Sequence, residues 1–122
     1  MAEALDVLES TTQLFTANLV DETGAAVGST SLGTFKLSLY DAASSVIINS
    51  RSSQNVLNAN GVTVSTTGGV SWPMDPADNI IRDTSLAVEL HFALWQWTWG
   101  TASSKAGKHL TGFNVTNLAL TT

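Results

Sequence analysis

The stretch from Leu86 to Trp99 constrains this chain more than any other, because it alternates strictly and is apolar on both of its faces. Successive side chains of a β-strand point to opposite sides, so every second residue shares a face. One face reads Leu86, Val88, Leu90, Phe92 and Leu94; the other reads Glu89, His91, Ala93, Trp95, Trp97 and Trp99. The first set is expected to be the core face. The second begins polar and ends in three indoles. A half-buried antiparallel strand shows polar residues to water, so large aromatics on the outer side imply a cover. That cover is expected to be a partner protein, with cover from within the monomer or from a ligand as the alternatives.

The rest of the chain repeats the alternation in shorter pieces. Gln13–Val20 reads as a strand with Phe15, Ala17 and Leu19 facing in, and Asp21-Glu22-Thr23-Gly24 as a turn. Gly33–Tyr40 reads as a second strand, with Phe35, Leu37 and Leu39 inward and Lys36, Ser38 and Tyr40 outward. Val46–Asn49 is a short apolar strand, and the polar segment Ser50–Ala59 has room for one helical turn. Val62–Ser65 and Val70–Trp72 flank Thr66-Thr67-Gly68-Gly69, the pattern of a hairpin.

Pro73 is expected to end that strand. Asp75-Pro76 then reads as a helix cap followed by proline in the first helical position. After Gly100–Gly107, a loop, Lys108–Leu118 is expected to pair antiparallel with the long strand. Residues 1–12 mix helix-compatible and extended signals, and are expected to be an N-terminal arm or short helix ahead of one domain spanning 13–122. About seven or eight short strands with regular turn signals describe an antiparallel β-sandwich.

Composition narrows the partners. The net charge is −5, and the five basic residues Lys36, Arg51, Arg82, Lys105 and Lys108 are scattered. A phosphate-tracking surface needs a basic cluster, so nucleic acid is not an expected partner. The opening residues carry Glu3, Asp6 and Glu9 and no base, which is unlike a signal peptide. No apolar run approaches bilayer length, so no membrane partner is expected either. Charged residues make up 12 % of the chain, about half the usual share. With no cysteine, the core forms without disulfides.

Several motifs together resemble a known group. They are the extended start with its Gly turn, Leu14–Gly24, the strand Phe35–Asp41 with its Tyr-Asp end, and the Asn-rich Ile48–Gly61. Gly69-Val70-Ser71-Trp72 then runs into Met74-Asp75-Pro76-Ala77-Asp78-Asn79, and Lys105-Ala106-Gly107-Lys108-His109 closes the Trp-rich hairpin. This pattern, over about residues 13–119, resembles the small immunoglobulin-like structural proteins of tailed bacteriophages.

The resemblance implies an immunoglobulin-like sandwich and a non-enzymatic virion protein. It implies most of all a capsid decoration (cement) protein on the major capsid protein, with a neck, tail or baseplate component as the alternative. It implies a homo-oligomer, made in the host cytoplasm and carried on the capsid surface or at the neck or tail. A carbohydrate-binding surface module is the further alternative, on the aromatic row alone. The residues expected to meet a partner are Trp95, Trp97, Trp99, His91, Tyr40 and Trp72.

The chain's reactive side chains do not assemble into a catalytic pattern. His91 and His109 are placed to face each other across the last hairpin, near Glu89, which is a minimal acid-base or metal set, but two histidines support no catalytic claim. Asp75, Asp78, Asn79 and Asp83 form the one acidic cluster, with a spacing that matches no calcium loop. No catalytic residue, cofactor or metal is therefore assigned.

Overall fold

The computed structural model describes residues 5–100 and 104–118. Among these residues eight strands form two sheets. They are β1 (Leu5–Leu8), β2 (Gln13–Asn18), β3 (Leu32–Asp41), β4 (Gln54–Asn55), β5 (Thr63–Val64), β6 (Gly69–Met74), β7 (Val88–Trp99) and β8 (Lys105–Thr116). A five-stranded sheet runs β1-β8-β7-β3-β4 and a three-stranded sheet runs β2-β6-β5. All pairs are antiparallel except β1 with β8, which is parallel. The result is the all-β sandwich expected from the alternation.

Between the sheets lies a core in which aromatic rings stack in series. Phe15 of β2 and Phe35 of β3 each lie nearly parallel to Trp95 of β7, both at 5.5 Å. Trp72 of β6 meets Trp95 edge-on at 5.4 Å and Phe113 of β8 at 6.0 Å. Such centroid distances and tilts are those that aromatic quadrupoles favour. Phe15, Leu19, Phe35, Leu37 and Leu39 face inward as the alternation predicts.

The face assignment of β7 is the main correction. Glu89, His91, Ala93 and Trp95 are buried, while Val88 is 49 % exposed and Leu90, Phe92 and Leu94 are only half-buried on the outer side. Register explains it. Residues paired across neighbouring strands share a face, and Phe35, Leu37 and Leu39 pair with Trp97, Trp95 and Ala93. Since β3 turns those three residues inward, the Trp face of β7 must follow.

Five smaller expectations also change. The N-terminal segment is neither helix nor free arm where it is described: Leu5–Leu8 is an edge strand with Val7 buried, while residues 1–4 lie outside the described residues. Pro73 does not end its strand. It sits inside β6 opposite Leu14, with its side chain exposed. Val46–Asn49 contributes a single bridge, Ile47 to Tyr40, and the polar segment after it holds the two-residue β4 instead of a helical turn. The last strand starts earlier than expected, at Lys105, and the loop before it lies partly outside the described residues, at 101–103.

The crossover from the small sheet to the large one is held by buried charge. Pro76–Asn79 forms a 3-10 turn after Asp75, as the Asp-Pro signal implies. The Asp78 carboxylate accepts from Arg51 Nε at 2.6 Å and Nη2 at 3.2 Å, from Asn49 Nδ2 at 2.8 Å and from the Asp75 backbone N–H at 2.8 Å. Arg51 also donates to Gln54 and to the Asn60 carbonyl, and lies over the Trp72 ring at 5.4 Å. A buried ion pair is tolerable when its charges are hydrogen-bonded as densely as these.

Candidate protein interface

The outward side of the five-stranded sheet is the surface that departs from ordinary solvent-facing chemistry. β7 presents Val88, Leu90, Phe92 and Leu94 there. β8 places Leu110 beside Leu94, and side-chain-less Gly112 beside Phe92. On the other flank Tyr40 of β3 pairs with Phe92, their rings edge to face at 5.9 Å, and Ile47 is bridged to Tyr40. Leu8 of β1 is 50 % exposed at the sheet edge, separated from Val88 by Thr116. Polar residues border this band. Lys36, Gln96 and Lys108 form one row across three strands, and Asp6 with Asn114 lies toward the β1 edge.

Side chains stand perpendicular to a sheet, so the band projects together as one surface. Full burial of a Leu or Phe is worth about 1.5–3 kcal/mol. Contiguous apolar ground rimmed by polar residues is the character of a contact surface, whereas scattered exposed leucines are not.

The residues expected to meet a partner are distributed differently. Trp95 is 3 % exposed and Trp72 and His91 are 0 %, so all three are covered within the chain. Their sheet partners enforce this, since they sit on the inner face of β7 and within the small sheet's packing surface. Trp97 and Trp99 are half-buried at one end of the inner face, packed against the core. Of the six, only Tyr40 lies on the outward face, half-buried within the apolar band. Val88, Leu90, Phe92 and Leu94 of this band were visible in the alternation of the long strand but were assigned to the core, and Leu110 of β8 was not singled out.

The two histidines do not face each other. His91 pairs with Phe113, and His109 pairs with Trp95 and is exposed. His91 Nε2 instead meets Glu89 Oε1 at 2.6 Å, and the Glu89 carboxylate also accepts the backbone N–H groups of Arg82 and Asp83 at 3.0 and 2.8 Å. This ties the crossover to β7. Nearby, Asp41 is buried opposite His91. Burial works against its charge, but hydrogen bonds from Ser44 and the Ala43 N–H, with the charges of His91 and Arg82, hold its carboxyl below the usual aspartate value.

The acidic cluster is dispersed among structural tasks. Asp78 takes Arg51, Asn79 donates to the Thr11 carbonyl, and Asp83 accepts from Ser85, whose hydroxyl and N–H lower its pKa. Among the described residues no group of three or more His, Cys, Asp or Glu is placed to hold a metal ion, and no helix is long and apolar enough to cross a membrane. No family model, no curated protein and no solved structure matches this chain.

Proposed function

We propose that this is a non-enzymatic structural protein of a bacteriophage virion, a capsid decoration protein that docks on the shell through the outward face of its large sheet. The observation that carries this reading is the apolar band from Val88 to Leu94, flanked by Tyr40 and Leu110. A free monomer gains nothing from that band, whereas a protein that spends its life packed against others does. The low charge and the likeness of the strand and turn pattern to phage immunoglobulin-like modules support the same reading. The buried Arg51–Asp78 and Glu89–His91 pairs are accounted for by the crossover they hold.

The test is the copy number of this chain in purified particles, by quantitative mass spectrometry against the major capsid protein. Hundreds of copies support decoration. Roughly a dozen or fewer, the number of a closed ring at one vertex, move the protein to the neck or tail. Absence from particles overturns the virion reading. The contact face is tested separately: Phe92→Lys combined with Leu94→Lys is expected to leave the fold intact by circular dichroism and to remove particle binding. Undiminished binding by that double variant excludes the band as the docking surface.

A further inference from the structure

Independently of the outward face, the sandwich is open at its indole end. A cavity of about 270 Å³ lies between β2 and the paired strands β7 and β8. Its walls are Phe15, Ala17, Leu19, Val70, Trp95 and Trp97. Ala17 contributes only a methyl group where its neighbours on that face, Phe15 and Leu19, carry large side chains. Trp97 lies flat over Gly107, where an added Cβ would stand 2.5 Å from the indole ring. His109, which pairs with Trp95 across the hairpin and is exposed, lines its mouth.

We infer that this slot is a binding site for a small flat aromatic molecule of one or two rings bearing a single polar substituent. Three features specify that class. The volume exceeds the roughly 150 Å³ of an apolar cavity that takes up benzene, yet is too small for an extended chain. The walls are aromatic and aliphatic, so a ring stacks or meets them edge-on at ordinary centroid distances, while a saccharide would leave most of its hydroxyls without partners. Few polar groups reach it: the Trp95 and Trp97 indole N–H groups, which have no acceptor, and the exposed His109 imidazole at the mouth, enough to hydrogen-bond one substituent. Binding sites with mostly apolar walls and a few placed polar groups are the common form.

The experiment is a titration of the ¹⁵N-labelled protein with p-cresol and with indole, followed by NMR. The indole N–H groups of Trp95 and Trp97 have no hydrogen-bond acceptor, so their resonances report directly on a ring placed beside them. Saturable shifts of these two signals are expected, with those of Trp99 moving less. Nuclear Overhauser contacts from the probe to the Ala17 and Val70 methyl groups are expected alongside. Ala17→Leu, which fills the slot, is expected to abolish the saturable shift in a protein whose remaining spectrum is unchanged. The inference is overturned if the Trp95 and Trp97 signals stay still up to the solubility of the probes. Probe contacts that run to Phe92 and Leu94, or shifts that persist in folded Ala17→Leu, overturn it equally. Should that variant not fold, the methyl contacts in the unaltered protein decide the matter.

Discussion

Along β7, the half from Val88 to Leu94 and the half from Trp95 to Trp99 assign their two faces in opposite ways. In the first half the inward residues are Glu89, His91 and Ala93, and the outward ones are Val88, Leu90, Phe92 and Leu94. In the second half the inward residues are indoles and the outward ones are Gln96 and Thr98, beside Lys36, Lys108 and Thr34. Burial in this strand therefore does not follow side-chain hydrophobicity. It follows the neighbouring strands, whose register carries whole rows of side chains inward together. Polar groups can be buried in the first half because the Glu89 carboxylate receives the imidazole and two backbone N–H groups. A carboxylate without those donors would be costly at that depth.

The comparison can be broken most forcefully at Trp95. Trp95→Ala removes the ring that Phe15, Phe35 and Trp72 all contact, and is expected to cost about 3–5 kcal/mol, measured by urea denaturation. Trp95, Trp97 and Trp99 changed together to Ser should leave no folded monomer, because Trp95 is buried and Trp97 and Trp99 pack against the core. A triple variant that remains folded would return the indoles to the surface.

Glu89→Ala tests the polar half. It leaves two backbone N–H groups and an imidazole without their acceptor, and is expected to destabilise by about 3 kcal/mol. Glu89→Gln, which keeps one carbonyl acceptor, should cost less. Faster hydrogen exchange at the Arg82 and Asp83 amides would locate the loss in the crossover.

Gly107→Ala sharpens the aromatic half, because the new methyl collides with the Trp97 indole. The expected cost is about 1–3 kcal/mol, with a change in Trp97 fluorescence or ring-current shifts. An unperturbed Trp97 would contradict the close approach of ring and backbone.

The smallest effect is pH dependence at Asp41. Its folded pKa lies below the usual value of 3.8. The unfolded chain therefore binds the proton more readily, and the Asp41 contribution is fully present above that value. It is lost as pH falls through the folded pKa. Denaturation midpoints should decline at acid pH, and Asp41→Asn should flatten that part of the profile. An unchanged slope in the Asn variant would assign the acid sensitivity to other carboxylates.

Much of the fold was legible from local signals. Alternation marked β2, β3 and β7 with the correct inward residues in the first two. Gly68, at φ 87°, marked the hairpin between β5 and β6, and Asp75-Pro76 marked the 3-10 turn. Less legible were elements whose state depends on a distant neighbour. Leu5–Leu8 is extended because β8 offers a parallel edge, and Pro73 is tolerated in β6 although proline lacks the donor a sheet ladder uses. The candidate interface fell in this second group. Its residues were all visible as one alternating set, but their neighbours Tyr40 and Leu110 come from strands more than ten residues away.

By itself, then, the sequence determined that this chain is a sandwich of short strands, since a period of two and frequent turns leave few other outcomes. Only the tertiary structure decided which side of β7 is inside. A two-residue period distinguishes two faces but labels neither, and when both are apolar the label comes from the strands hydrogen-bonded alongside. Here Phe35, Leu37 and Leu39 on one flank and Phe113 and Val115 on the other drew Glu89, His91 and Trp95 into the core, and left Phe92 and Leu94 facing out.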